Sequence, residues 1–119
     1  MMILMRKIRK LGFKVVFSGE GSDEIFGGYL YFYYAPDKEE FHRELVRKTT
    51  RLHYYDVLRA NKVGFGGQIE VRCPFLDRDV LEVVMNTDPY LKLCNSKKLP
   101  DGVHPKMEKY LLRKAFDTP

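Results

Sequence analysis

Apolar positions in the first dozen residues recur at helical spacing. Met1, Leu4, Ile8 and Leu11 share one face, while Arg6, Lys7, Arg9 and Lys10 lie elsewhere on the turn. Gly12 supplies a C-terminal stop. The period then changes. Phe13-Lys14-Val15-Val16-Phe17 is short, rich in β-branched residues and bounded by glycines, which predicts a buried strand. A helix, a buried strand and a second helix form part of a βαβ pattern, and a parallel strand needs neighbours. No other segment reads as a comparable strand. The expected class is therefore α/β, mostly helical, with one convincing parallel strand, and the chain reads as a piece of a larger domain.

Downstream, Ser22 is the predicted N-cap of a short helix that Gly27-Gly28 ends, and an aromatic segment, residues 29–34, leads to Ala35-Pro36. Asp37 caps a helix reaching about Thr49, with Phe41, Leu45 and Lys48 along one side. A further helix is predicted from Arg51 to about Lys62, broken by Gly64-Phe65-Gly66-Gly67. Residues 68–76 alternate, but Pro74 bars a central strand and favours an extended loop. Asp77 caps a helix bearing Val80, Leu81, Val83, Val84 and Met85, residues 86–105 read as a loop, and a last helix runs from Lys106 to about Phe116.

Composition narrows the class. In 119 residues, 45% hydrophobic and 31% charged, there is material for one modest globular domain. No apolar run is long enough for a bilayer, so no membrane partner is expected. Met1 to Lys14 carries five basic side chains and no secretory core. Cys73 and Cys94 have neither metal-ligand nor disulfide-scaffold spacing, which points to a reducing, cytoplasmic interior. The net charge of +5 raises nucleic acid as a partner. Its distribution argues against one, because residues 37–51 interleave acids and bases like a solvated helix with ion pairs a turn apart.

The candidate chemistry sits at residues 15–24, Val-Val-Phe-Ser-Gly-Glu-Gly-Ser-Asp-Glu. A strand turning through Ser18-Gly19-Glu20-Gly21 into a helix presents bare backbone N–H groups at a positive helix end. Glu20, Asp23 and Glu24 would repel a naked phosphate, so Mg²⁺ between acid and phosphate oxygens makes best chemical sense. Beyond the carboxyl end of a strand is also where open α/β sheets bind ligands. Asp56 and Arg59 lie three apart and share a helix face, which fits either an intrahelical ion pair or a carboxylate clamp. Cys73 reads as a core or wall thiol, the tyrosine segment as packing beside the site with hydroxyls at its edge, and His42, His53 and His104 as without metal-ligand spacing.

The run from Val15 through Phe26-Gly27-Gly28-Tyr29 resembles the second nucleotide-binding motif of glutamine-hydrolysing asparagine synthetases. The resemblance continues in order through Tyr31-Phe32, Ala35-Pro36, Glu40-Phe41-His42 and Val46-Arg47-Lys48. It runs on through Leu52-His53-Tyr54-Tyr55-Asp56, residues 58–62, Glu70-Val71-Arg72-Cys73-Pro74-Phe75-Leu76-Asp77 and Lys106-Met107-Glu108-Lys109. Residues 95–105 look like an insertion. β-Lactam synthetase, a more distant relative, matches the first run but fits the later ones less well.

That resemblance implies a partial adenine-nucleotide alpha-hydrolase-like (ATP pyrophosphatase) domain, in which aspartate attacks the α-phosphate of Mg·ATP to give β-aspartyl-AMP and pyrophosphate. Ammonia from a glutaminase domain of the full-length chain then yields asparagine. It implies nucleotide contacts for Ser18, Gly19 and Gly21, and a catalytic role for Glu20 in intermediate formation and in deprotonating ammonia. Asp23 matches a Mg²⁺ ligand; Glu24, Asp56 and Arg59 fall at the aspartate pocket; Val71 and Cys73 match tunnel-lining positions. Glu70, Arg72 and Asp77 read as a buried polar bracket for the site.

The first phosphate loop of that family, Ser-Gly-Gly-x-Asp-Ser, does not occur in the sequence, and neither does the N-terminal cysteine of a glutaminase domain. Residues 1–119 are therefore expected to be a fragment of the synthetase domain, inactive alone and prone to self-association. The alternative of another class is a non-catalytic helical assembly module.

Overall fold

The computed structural model describes residues 1–94 and 107–117. Val15–Phe17 forms β1, and Glu70–Arg72 forms a second strand, β2, parallel to it. The register pairs Val15 with Glu70, Val16 with Val71 and Phe17 with Arg72. Glu70 N donates to Lys14 O at 2.8 Å and Ser18 N to Arg72 O at 2.8 Å, closing the ladder at both ends. The expectation of an extended loop at 68–76 is thus corrected. Pro74 does not bar the strand because pairing ends at Arg72, and Pro74 opens a 3-10 turn, Pro74–Leu76, where its missing N–H is harmless.

The described residues also form helices α1 (Met2–Lys10), α2 (Ser22–Phe26), α3 (Lys38–Arg51), α4 (Asp56–Gly67), α5 (Arg78–Asn86) and α6 (Tyr110–Ala115). Asp37 caps α3 by accepting from Glu40 N at 2.8 Å, and Asp77 caps α5 by accepting from Asp79 N at 3.0 Å, both as expected. Gly12, at φ 89°, ends the turn after α1. Two helix boundaries differ from expectation. Leu52–Tyr54 is a 3-10 turn, so α4 begins at Asp56, and α4 then runs through Gly64-Phe65-Gly66-Gly67 instead of breaking there.

The reason is contact across the fold. A Cβ at Gly64 would lie 2.8 Å from Ile69 O and from Val71 Cγ2, and one at Gly67 would lie 2.8 Å from Met5 Cβ. These glycines let α4 approach α1 and β2, which outweighs the roughly 1 kcal/mol that glycine costs a helix. Gln68, left-handed at φ 54°, ends the helix. The final helix is shorter than predicted; its expected start at Lys106, the 95–105 insertion and His104 lie outside the described residues.

Two apolar clusters hold the helical side. Phe32, Phe41, Leu45 and Leu93 form one; Ile25, Phe26 and Val84 form the other, with Leu111 and Leu112 of α6 against it. Met85 packs against both. The strand side is different. Val15 and Phe17 are 40% and 76% exposed, so the expected buried strand is half-covered among the described residues. In α1 only Met5 is buried, while Leu4 and Leu11 of the predicted apolar face are exposed.

Candidate active site

β1 delivers the chain into a tight turn whose two glycines have separate causes. Gly21 sits at φ 94° as the N-cap of α2, and a Cβ there would overlap the Leu76 side chain. Only glycine suits both demands. The cap is therefore Gly21 and not Ser22, which is the first, buried residue of the helix. Gly19 has no left-handed φ, and a Cβ on it would meet nothing within 4 Å. The described fold gives Gly19 no reason to be glycine. α2 has five residues, so the positive helix end expected here carries a small aligned dipole. Within the turn, Glu20 N donates to Ser18 Oγ at 3.4 Å and Ser22 N to Gly19 O at 3.2 Å.

The acids and the arginine converge from different elements. Glu20 comes from the turn, Glu24 from α2, and Asp56 and Arg59 from the first turn of α4. Arg59 Nη2 lies 2.7 Å from Asp56 Oδ1 and 3.3 Å from Glu20 Oε1. Of the two readings of the Asp56–Arg59 spacing, the intrahelical pair forms, and the same arginine also reaches across to the turn. The Glu20 carboxylate, then Asp56, raises the Arg59 pKa further, so its guanidinium stays protonated. Glu24 is 2% exposed, and its carboxylate accepts a hydrogen bond from the Tyr29 hydroxyl. The same hydroxyl lies 3.5 Å from Asp56 Oδ2. Burial, followed by the Glu24 hydrogen bond and charge, drives the Tyr29 pKa far up, so this hydroxyl keeps its proton.

Between these groups lies an open cavity of about 490 Å³, lined by Glu24, Tyr29, Lys48, Leu52, Tyr55, Asp56 and Arg59. Tyr29 and Lys48 were not among the sequence-derived site residues. Lys48 Nζ stands 5.3 Å from the Tyr29 ring centroid and 5.4 Å from that of Tyr31. A signal for it existed: Lys48 continues the buried stripe of Phe41 and Leu45, where a cation needs a partner. Two carboxylates beside one arginine and one lysine can receive a zwitterion that carries both an ammonium and carboxylates.

Asp23 is held apart from this cluster. Its Oδ1 is 2.8 Å from Lys109 Nζ. No group of three metal-ligating side chains exists among the described residues. Asp23 alone offers one carboxylate, already facing an ammonium, so these residues do not form a metal site by themselves. Mg²⁺ characteristically takes one or two carboxylates plus substrate phosphates, and only in that sense does Asp23 suit it.

Cys73 follows β2 and is half-buried, its thiol pushed up by burial and then by the Glu20 charge, so it stays neutral near that carboxylate. Val71 packs under Gly64. Glu70 and Arg72 correct the expected buried bracket: both are exposed and pair with each other at 2.7 Å, because alternate residues of β2 point outward. Asp77 serves as a helix cap.

The chain matches the family model for asparagine synthase over residues 1–40 and 34–118. It is similar to asparagine synthetase [glutamine-hydrolyzing] 1 of Lotus japonicus, 56% identical over 117 residues, covering 98% of this chain and 19% of that protein. A probable asparagine synthetase [glutamine-hydrolyzing] of Dictyostelium discoideum is 55% identical over 118 residues, 99% of this chain and 20% of its own length. One from Schizosaccharomyces pombe is 55% identical over 119 residues, again 99% and 20%. The chain thus spans about one fifth of the length of the curated relatives it matches.

Proposed function

The chain belongs to the asparagine synthase family, and from that premise we propose that residues 1–119 form one wall of the site where an ATP-dependent, glutamine-hydrolysing asparagine synthetase activates aspartate. The observation that carries this reading is the meeting of Glu24, Asp56 and Arg59 around one cavity, with Arg59 also reaching Glu20 of the turn that follows β1. The fold fits a segment of an adenine-nucleotide alpha-hydrolase-like (ATP pyrophosphatase) domain, and the resident compartment we assign to the whole protein is the cytoplasm.

In this reading Arg59 clamps a carboxylate of aspartate, while Glu24 and Asp56 receive its ammonium. The side-chain carboxylate oxygen attacks the α-phosphorus of ATP, the α–β phosphoanhydride bond breaks, and pyrophosphate leaves. Gly19 and Gly21 face the nucleotide through their backbone and Ser18 through its hydroxyl, and the open Cα of Gly19 allows close approach. Mg²⁺ would arrive with ATP and screen its phosphates, with Asp23 as this chain's single ligand. Ammonia then attacks the acyl carbon, the acyl–phosphate bond breaks, and AMP leaves. The nitrogen becomes cationic as it adds, and Glu20 takes the proton. Val71 and the neutral thiol of Cys73 would wall the route by which glutamine-derived ammonia reaches Glu20, keeping water out.

The experiment uses the full natural polypeptide that carries these residues. Glu20→Gln should lower asparagine formation at least about a hundredfold, with glutamine hydrolysis retained within about twofold. Unchanged asparagine formation would refute the role of Glu20. The 119-residue chain by itself should release no pyrophosphate from Mg·ATP and aspartate, and its exposed strand face should drive self-association at high concentration.

A further inference from the structure

Lys109 stands out among the charged residues because the fold makes unusual provision for it. Its ammonium donates to Asp23 Oδ1 at 2.8 Å and to Ser22 Oγ at 3.3 Å. Its backbone, the residue before α6, is left-handed at φ 55°, ψ 32°, which non-glycine residues seldom adopt. Gly28 lies beneath the pair: it has no left-handed φ, yet a Cβ there would overlap both Asp23 Oδ1 and Lys109 Cε. Two and three residues later, Leu111 and Leu112 fasten α6 to the Ile25, Phe26 and Val84 cluster.

A partly exposed ion pair stabilises a fold little. Here a left-handed Lys109 backbone and a side-chain-free position 28 both occur at the pair. Strain held by surrounding packing marks functional geometry. The pair does not belong to the aspartate-facing cavity, whose lining excludes both Asp23 and Lys109.

We infer that Lys109 is a positioning residue of the Ser18–Asp23 turn: acting through Asp23 and Ser22, it fixes the turn before ligand arrives and so sets affinity for ATP, not for aspartate. The inference rests on the reading of this turn as nucleotide-facing. α6 thereby becomes a strut for the turn, although it lies almost ninety residues away in sequence.

Backbone hydrogen–deuterium exchange on the full natural polypeptide, with Michaelis constants for ATP and aspartate, tests it. In K109M, amides of residues 19–23 should exchange at least about tenfold faster, with the rest of the chain unchanged. K109R should restore most of the protection. G28A, which displaces the pair while leaving both charges, should reproduce K109M, and it decides the matter should K109M not fold. The KM for ATP should rise about fivefold or more, with that for aspartate within about twofold. Unchanged exchange in K109M and G28A, or acceleration spread over the whole chain, overturns the inference. Faster exchange with an unmoved ATP constant upholds Lys109 as the turn's anchor and removes the nucleotide reading of the turn. An unsubstituted protein with no aspartate-dependent pyrophosphate release counts against the proposed function, while the exchange result still decides Lys109.

Discussion

The helical side of the molecule closes on itself, whereas the strand side does not. Phe41, Leu45 and Ile25 are fully buried, while Phe17 is 76% exposed and Val15 40%. Both sides carry large apolar residues, so the difference lies in partners. α2, α3 and α5 find one another within the described residues; there, β1 pairs with β2, and it is β2 that meets α4. Parallel sheets are ordinarily covered on both faces. The contrast teaches that the helical side can be dissected in this chain alone, and that the strand side presents a surface seeking cover.

That contrast can be broken at several points. Phe41→Ala in the closed core should destabilise the chain by about 3–5 kcal/mol in urea unfolding; a loss below about 1 kcal/mol would mean the core is not the stabilising unit. Within the turn, Gly21→Ala should cost about 2–3 kcal/mol through its left-handed φ and the overlap with Leu76. Gly19→Ala should cost less than about 0.5 kcal/mol while weakening ATP binding in the full natural polypeptide. Equal stability losses at the two glycines would abolish the distinction drawn between them.

A third test uses a buried charge. Lys92 is 2% exposed, and its ammonium donates to Val84 O at 2.7 Å near the end of α5. Burial depresses its pKa to about 8, against 10.5 for a free lysine. The unfolded chain therefore binds more protons between these values, and stability contributed through Lys92 rises with pH across that window. Relative to K92M, the unsubstituted chain should gain about 2 kcal/mol from about pH 7 to about pH 9.5. Parallel pH profiles would show that Lys92 is hydrated. The smallest effect belongs to the exposed face. Phe17→Ser should change unfolding by less than about 0.5 kcal/mol, yet sedimentation should show weaker self-association.

What could be read from sequence was local. The caps at Asp37 and Asp77, the stop at Gly12, β1 and the acid-rich turn after it depend on neighbours a few residues away. What escaped was long-range. Gly64 and Gly67 look like helix breakers until Val71 and Met5 are found against them, and β2 looks like a loop until β1 is beside it. The same holds for the site. Glu20, Glu24, Asp56 and Arg59 were legible and do meet; the tyrosine segment was read as packing with hydroxyls at the edge of the site, without singling out Tyr29 as the bridge between Glu24 and Asp56. Lys48 was read only as part of a helix face. The Asp23–Lys109 pair needed the fold, because no local pattern links residues so distant. Glu70 and Arg72, taken as buried, point outward because their strand is an open one.

In the proposed function, the cavity between α2 and α4 receives aspartate through Arg59. Aspartate-dependent exchange of pyrophosphate into ATP, measured on the full natural polypeptide and on its R59Q variant, tests it most directly. The account predicts a KM for aspartate raised about a hundredfold in R59Q with the ATP constant within about twofold. An unaltered aspartate constant, or an equal loss toward both substrates, would contradict it.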